Sequence, residues 1–170
     1  LDNPLINRLL ERQREHGGLT LLHKKGVTDA AQAVIDAGGA LAFIADQDAG
    51  RKGLYVEFFG RPASTYKSIG LLAISKRVPV IIGYAARLGR GFRYRLVVER
   101  VIMPEEWESQ ADPLRWITQT YTRALEDAIR SYPEQYLWVH RRWKHQPKVR
   151  AVGAGDVGAM AASAMTEGEA

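Results

Sequence analysis

The sequence predicts an α/β fold with a central, mostly parallel sheet flanked by helices and an antiparallel strand at its edge. Three observations support this prediction. Short apolar runs alternate along the chain with helical segments, which is typical of a parallel sheet. A later run alternates polar and apolar residues, as an antiparallel edge strand does. The 170 residues are 46% hydrophobic and 25% charged, which suits one domain with its own core.

The first part of the chain is predicted to be a helix followed by a strand. Asn3 is placed to cap the helix, Pro4 suits its first turn, and the glycines at 17–18 end it. The apolar run at 19–23 then predicts a short strand. The chain therefore enters the predicted sheet within its first 25 residues.

A second helix and a second strand follow. Thr28 is placed to cap a helix that Gly38 closes. The run 40–46 predicts a fully apolar strand that ends in an acid. Beyond this strand lies a glycine-containing loop, which we expect to hold the segment "LYVEFFG" at 54–60.

The second half of the chain predicts two helices and two strands. Apolar residues recur at helical spacing over 65–77. The run 78–87 is a third apolar strand, and 91–103 has the alternation of an antiparallel edge strand. Residues 112–132 form a long amphipathic helix with Asp112 as its cap.

The charge of the chain points to an anionic partner. The net charge is +5 at pH 7, and residues 1–150 hold 24 basic against 16 acidic residues. Phosphate-bearing lipid, an acidic carrier protein and nucleic acid are all compatible with this balance, as is a basic surface that merely faces solvent. No cysteine is present, which excludes a disulfide framework and a thiolate site. No apolar run reaches the roughly 18 residues of a membrane span.

Residues 148–170 form a small-residue tail that we expect to be disordered, so the folded domain comprises 1–147. The tail contains a G-x-G-x-x-G pattern at Gly153, Gly155 and Gly158. A dinucleotide site also needs a strand before the pattern and a second strand with an acid after it. No second strand follows within the 170 residues, so composition explains the match better than a nucleotide site does.

Several catalytic and binding patterns are missing from the sequence. No serine lies in a G-x-S-x-G pattern, and no Walker lysine loop is present. The four histidines do not form a metal set, because His140 and His145 lie five residues apart and have no acidic partner on a shared pattern. The sequence therefore predicts no nucleophile elbow, no P-loop and no metal centre.

The residues that follow each predicted strand are candidates for a site, because open α/β sheets bind ligands at the carboxyl ends of their strands. Lys24 and Lys25 follow the first strand, beside a helix start that favours an anion. Asp46 ends the second strand, and Arg87 ends the third. Asp46 could orient a base or pair with a basic group, or it could cap backbone amides in a long turn.

Three motifs make the chain recognisable. They are "ADQD" at 45–48, "FFGRPAST" at 58–65 and "PEQYLWVHRRWK" at 133–144. In this order they make residues 1–147 resemble the late acyltransferases of lipid A biosynthesis, the lauroyl and myristoyl type, which are related to the lysophospholipid acyltransferases. The resemblance implies a sheet like that of the glycerolipid acyltransferases.

The resemblance also implies a reaction. A fatty acyl group would move from an acyl carrier protein thioester to a hydroxyl of a lipid A precursor, at the cytoplasmic face of the inner membrane. The family's catalytic dyad is a histidine followed five residues later by an acid, and the histidine is the general base. The resemblance implies no metal and no bound cofactor, and it implies lipid rather than nucleic acid as the partner.

The dyad that the resemblance implies is absent from these residues. None of the four histidines has an acid five residues later. We therefore expect the dyad, and the family's membrane-anchoring helix, to lie upstream of Leu1. The chain would then be the C-terminal portion of an acyltransferase, peripheral to the membrane and inactive alone.

The resemblance assigns roles to individual residues. Asp46 is expected to support the dyad, and Thr65 is expected to cap the helix that follows it. Other residues are expected to contact the lipid, the carrier protein or the acyl chain, although phenylalanines such as the two among them are more often part of the core than of a ligand wall. These are Lys24, Lys25, Gln47, Phe58, Phe59, Gly60, Arg87, Arg141 and Arg142.

The segment 132–145 interleaves aromatic and basic residues. Residues 135–140 are predicted to form a final buried strand or turn, with Tyr136 and Trp138 in the core. The same pattern places the four residues 141–144 at the rim. Basic residues beside an interfacial tryptophan suit a lipid phosphate at a membrane surface.

Three other interpretations remain open at this point. The basic body and the segment 132–145 also fit a non-catalytic module that binds anionic lipid or nucleic acid, with an affinity that falls steeply with salt. The glycine pattern of the tail would fit a nucleotide-binding domain. A scaffold fragment with an unpaired sheet edge would tend to aggregate or dimerise.

Overall fold

The computed structural model describes residues 4–22 and 27–147. Within these ranges the chain forms a mixed α/β structure with two antiparallel sheets of two strands each. The helices are α1 (Pro4–His16), α2 (Val27–Asp36), α3 (Ser68–Lys76), α4 (Pro104–Glu108) and α5 (Pro113–Ser131). The strands are β1 (Leu54–Phe58), β2 (Arg61–Thr65), β3 (Val80–Arg87) and β4 (Tyr94–Ile102). Short 3-10 helices cover Gly50–Lys52 and Pro133–Gln135.

β1 and β2 form a tight hairpin where the sequence analysis expected a loop. Its two-residue turn consists of Phe59 and Gly60, whose φ angles are 51° and 72°. Two consecutive left-handed residues are the signature of a type I′ turn, whose twist matches that of the strands. The left-handed conformation costs a non-glycine residue about 1–2 kcal/mol. The edge-to-face contact of the Phe59 ring with Phe58 helps to offset that cost.

β3 and β4 form the second sheet, and both lie where the sequence analysis placed a strand. They pair antiparallel, with Arg87 opposite Tyr94. The register shifts by one residue between Ile82 and Gly83. The predicted antiparallel edge strand is thus confirmed as β4, and its partner is the third predicted strand.

The predicted central parallel sheet is wrong for the part of the chain that the structure describes. Residues 19–22 and 40–45 belong to no strand. The backbone amides and carbonyls of 40–45 form no hydrogen bond with any described residue. An apolar run predicts burial, but a strand also needs a neighbour to complete its backbone hydrogen bonds. The described residues supply no such neighbour, so the fold is α/β in content but antiparallel in pairing.

The main core lies where α5 packs against α3 and the β3–β4 sheet. Its buried members are Ile69, Ala73, Ile82, Ile102, Trp107, Ile117, Tyr121 and Ala124. A smaller core joins the β1–β2 hairpin to the end of α5 through Phe58, Ala63 and Ile129. The start of α5 confirms its predicted cap, because the Asp112 carboxylate accepts the Arg115 N–H at 2.9 Å.

Two predicted helix caps are wrong. α3 begins at Ser68, so Thr65 does not cap it. Thr65 is instead the last residue of β2, and its hydroxyl donates to the Ala63 carbonyl at 3.0 Å. The β1–β2 pairing holds Thr65 in the ladder, which prevents it from joining the helix. Thr28 lies inside α2, which begins one residue earlier.

Some predictions fall on residues outside the described ranges. They concern the cap at Asn3, the basic residues Lys24 and Lys25, and the tail 148–170. These remain predictions from the sequence. Among the described residues, no helix combines the length and the apolar character needed to cross a bilayer.

Replacing Ile102 by alanine should lower the free energy of unfolding by about 2–5 kcal/mol, because truncating a buried side chain leaves a cavity. Ile102 is 0% exposed in the main core, whereas Ile81, in the same sheet, is 65% exposed. The matched change Ile81→Ala should therefore alter stability by less than about 0.5 kcal/mol. Urea denaturation of the two variants measures both values. Equal losses would contradict the assignment of the inner and outer faces of the sheet.

Candidate functional site

An open apolar groove lies between the segment 38–46 and β3. Its volume is about 840 Å³, and residues of α3 and α5 complete its wall. Large apolar side chains such as Phe43, Ile44 and Ile81 line it and remain exposed. A concave, apolar site of this size is typical of sites for lipid-like or other largely apolar ligands.

Asp46 is the one charged residue in the described lining of this groove. Its Oδ1 atom is buried and has no hydrogen-bond partner among the described residues. Its backbone carbonyl accepts the Tyr136 hydroxyl at 3.3 Å, which ties the lining segment to the end of the fold. A carboxylate oxygen with unused capacity can accept a hydrogen bond from a ligand or a basic group.

Asp48 fixes the loop that follows Asp46. Its Oδ2 atom lies 2.7 Å from His145 Nδ1 and accepts the Gly50 N–H at 3.1 Å. Its own N–H donates to His140 Nε2 at 2.8 Å. These contacts hold the loop against the C-terminal segment, which we define as residues 132–147.

Arg142 joins the same segment to the β1–β2 hairpin. Its side chain is almost fully buried, at 1% exposure. Nη1 donates to the Ser64 carbonyl at 2.5 Å, and Nη2 donates to Thr65 Oγ1 at 2.7 Å. The guanidinium also lies 5.1 Å from the centre of the Phe58 ring. The predicted rim position of Arg142 is therefore wrong, because the side chain is buried. Its two Nη atoms donate to β2, while its buried Nε has no partner among the described residues.

The electrostatics of Arg142 follow from this burial. Burial lowers the pKa of its guanidinium, and the nearby Tyr136, Tyr121, Asp48 and Asp46 act in the opposite direction. The guanidinium is nevertheless a cation at neutral pH. Two carboxylates thus lie near a buried positive charge without an ion pair to it. We call the surrounding group the polar cluster; its members are Asp46, Asp48, Tyr136, His140, Arg142 and His145.

Tyr136 of the polar cluster and the neighbouring Tyr121 keep their protons more tightly than usual. Burial raises the pKa of the Tyr121 hydroxyl, while Arg142 opposes the effect and Tyr66 adds to it. This hydroxyl donates to the Tyr66 carbonyl at 2.6 Å. Burial also raises the pKa of Tyr136, with Asp46 adding to the shift and Arg142 opposing it. Both side chains are therefore hydrogen-bond donors at neutral pH.

Among the residues predicted to form the site, Asp46 lines the groove and several others do not. Gln47 and Arg141 are exposed and lie outside its lining. Arg142 is turned into the protein, where its two Nη atoms donate to β2. The structure therefore brings together Asp46 and Arg142 in one region but leaves Gln47 and Arg141 facing solvent.

The aromatic candidates take structural positions. Phe58 is buried in the smaller core beside Trp143, and Phe59 and Gly60 form the hairpin turn. None of the three belongs to the lining of the groove. The side chain of Arg87 is exposed, while its N–H and carbonyl bond the side-chain amide of Gln135 at 2.9 and 3.2 Å. Substrate contact by these residues remains a prediction.

The C-terminal segment follows the turn rather than the strand of its two predicted alternatives. After the 3-10 helix it continues in turns rather than a strand. Tyr136 is half-buried against the smaller core, but Trp138 is 52% exposed and its indole N–H donates to the Pro133 carbonyl at 2.7 Å. Trp143 is half-buried instead of lying at the rim, and its indole N–H donates to the Phe58 carbonyl at 3.3 Å.

The fold brings a histidine next to a carboxylate, although the sequence has no histidine followed five residues later by an acid. The His145–Asp48 contact is the kind of arrangement that orients a general base. Neither residue lines the groove, so the pair anchors the loop rather than facing a ligand there. Within the described ranges, no three metal-ligating side chains come together.

Sequence reasoning did not identify Tyr136, His140 and His145 as partners of the loop at 46–48. Their contacts join positions 90, 92 and 97 residues apart, and no local pattern reports such pairing. The available signal was indirect. The "DQD" run and the two histidines lie within or directly beside motifs that the family resemblance had already singled out.

Comparison of the sequence with known proteins places the chain in a family. The family model for bacterial lipid A biosynthesis acyltransferases matches residues 1–145. The chain is also 27% identical over 149 residues to the lipid A biosynthesis lauroyltransferase of Escherichia coli (strain K12), a match that covers 86% of this chain and 47% of that relative. The chain thus spans about half the length of the curated relative that it matches. It belongs to the bacterial lipid A biosynthesis acyltransferase family.

Changing Arg142 to lysine should destabilise the fold by about 1–3 kcal/mol, because an ammonium group cannot serve both buried acceptors of β2. The neighbouring change Arg141→Lys alters an exposed side chain and should cost less than about 0.5 kcal/mol. Denaturant unfolding of the pair makes the comparison. A tolerated lysine at position 142 would show that the bidentate contact does not hold the segment.

Stability should fall as the pH rises above about 10, where tyrosines of the unfolded chain ionise. The raised pKa of Tyr121 and Tyr136 means that the folded state binds more protons there than the unfolded state, so alkali favours unfolding. In Tyr121→Phe the free energy of unfolding should fall less steeply between about pH 9 and 11. The missing hydrogen bond to Tyr66 lowers stability at every pH, so the slope is the readout. An unchanged slope would count against the burial effect.

Proposed function

We propose that this chain forms the acyl-binding part of an enzyme that moves a fatty acyl group from an acyl carrier protein thioester to a hydroxyl of a lipid A precursor. The observation that carries the proposal is an apolar groove with a single carboxylate, Asp46, in its lining. Membership of the lipid A acyltransferase family supports acyl transfer in general. The name of the relative from Escherichia coli specifies lauroyl transfer.

The groove has the properties that an acyl chain requires. Its volume of about 840 Å³ lies within the usual range for ligand sites. Burial of each methylene group against apolar walls contributes about 0.8 kcal/mol. The exposed side chains of Phe43 and Ile44 would gain contacts with the chain. Binding would therefore remove apolar surface from water on both partners.

The reaction sets the requirements for the polar groups. The acceptor oxygen attacks the thioester carbonyl carbon, a C–O bond forms, and the C–S bond breaks. The hydroxyl proton passes to a base and then to the leaving thiol sulfur. The histidine–acid dyad of the family is not among the 170 residues, so we assign Asp46 a positioning role, in which its free oxygen holds a basic group or the acceptor hydroxyl.

The same proposal defines the setting of the enzyme. Its partners are the acyl carrier protein and a lipid A precursor, and its place is the cytoplasmic face of the inner membrane, where this chain would be peripheral. The chemistry needs no metal and no bound cofactor. Residues 1–170 alone should not transfer acyl groups, because they lack the dyad.

Changing Asp46 to asparagine in the complete acyltransferase that carries these residues should lower kcat by about 100-fold, because a misplaced reacting group loses that order of rate. KM for the acyl donor should change little, since the groove walls are intact. Steady-state transfer from acyl carrier protein to a lipid A precursor measures both constants.

The matched control is Asp127→Asn, which alters an exposed carboxylate on α5 and should leave kcat unchanged. Both variants should have nearly the same midpoint of denaturant unfolding as the parent protein. Full turnover by a folded Asp46→Asn enzyme would show that Asp46 has no role in the reaction. The groove would then have a purely binding role.

A further inference from the structure

The hairpin tip, which we define as residues 87–96 at the turn between β3 and β4, has an unusual surface. Phe92 is 98% exposed and Leu96 is 85% exposed. The opposite face of the same sheet is buried in the main core through Ile82 and Ile102. No described residue covers Phe92 in the turn or Leu96 on the sheet, and large exposed apolar side chains of this kind mark an interaction surface.

Four arginines belong to the same hairpin tip. They are Arg87, Arg90, Arg93 and Arg95, and all four are exposed. Within the part of the chain that the structure describes, none of their side chains joins an ion pair or a side-chain hydrogen bond. Residues 58–98 contain no aspartate or glutamate. The tip itself therefore carries four positive charges and no negative charge.

We propose that the hairpin tip docks this protein on the surface of an anionic phospholipid bilayer. Phe92 and Leu96 enter the boundary between headgroups and acyl chains, and the four guanidinium groups bind lipid phosphates. Apolar side chains ringed by basic residues are the composition of interfacial membrane contacts. Charge complementarity with anionic headgroups is the observation that selects this partner.

Nucleic acid fits the tip less well. Proteins that bind single strands stack bases on successive aromatic rings. Tyr94 is a second exposed ring of the tip, at 55% exposure. However, Leu96 and Val98, which follow it on the exposed face of β4, are aliphatic and offer no stacking surface. Aliphatic groups gain instead from burial in hydrocarbon. The surface therefore suits lipid chains better than bases.

The tip is held rigidly next to the groove. The Gln135 side-chain amide pairs with both backbone groups of Arg87, at 2.9 and 3.2 Å. Gln135 and most of β3 also line the groove. Docking through the tip would therefore bring the groove to the bilayer surface, where a lipid substrate resides. This surface does not depend on the proposed acyl transfer, and its test involves no turnover.

The test is cosedimentation of the 170-residue chain with vesicles, at low salt. Vesicles of equal parts phosphatidylglycerol and phosphatidylcholine should bind the protein, and phosphatidylcholine alone should not. Phe92→Ser should weaken binding at least about tenfold. The double change Arg90→Gln with Arg93→Gln should weaken vesicle binding roughly 25-fold, because the loss of each arginine weakens it about fivefold.

Two controls match these variants. The double change Arg12→Gln with Arg14→Gln removes the same charge from exposed positions of α1, and Leu71→Ser removes an exposed apolar side chain from α3. Both controls should bind as the parent chain does. All of the altered side chains are exposed, so unfolding curves should coincide and exclude misfolding as the cause.

A second readout reports insertion at one position. In Phe92→Trp, anionic vesicles should shift the added tryptophan emission to shorter wavelength, relative to the parent chain measured in the same way. Absence of binding to anionic vesicles, equal loss in the α1 control, or tighter binding to single-stranded DNA than to vesicles would each overturn the proposal.

Discussion

The buried guanidinium of Arg142 is the interaction on which the site depends. A cation removed from water needs hydrogen-bond partners, and here β2 provides a carbonyl and a hydroxyl for the two Nη atoms. The contact brings the C-terminal segment across the β1–β2 hairpin. Asp48 can then reach His140 and His145, so three distant stretches of the chain form one rigid unit.

This rigid unit determines the chemistry of the groove. Asp46 lies two residues before Asp48 and is tied to Tyr136, so its carboxylate is fixed at the groove rather than free in a mobile loop. The remaining described lining is uncharged. An otherwise apolar site with one oriented carboxylate can bind a hydrocarbon chain and still position one polar group. Both requirements belong to acyl transfer, which is why family and geometry support the same function.

The sequence allowed local features to be predicted and missed those set by distant contacts. The four predicted helices, β3 and β4 follow from periodicity within a few residues. The run 40–46 also has the pattern of a strand, but pairing depends on a neighbour that no local pattern specifies. The Phe59–Gly60 turn escaped notice because its first residue rarely adopts positive φ. Arg142 was assigned to the rim because charged side chains are rarely buried, and its partners lie 77 and 78 positions away.

The most direct test of the groove is photocrosslinking with acyl carrier protein that carries a fatty acyl chain with a terminal diazirine. The full-length protein that carries these residues is irradiated with this donor and digested, and the crosslinks are mapped by mass spectrometry. If the groove holds the acyl chain, the crosslinks within these 170 residues should fall in the segment 38–46 and on β3, both of which line the groove. Crosslinks confined to other surfaces, with these two segments unlabelled, would contradict the account.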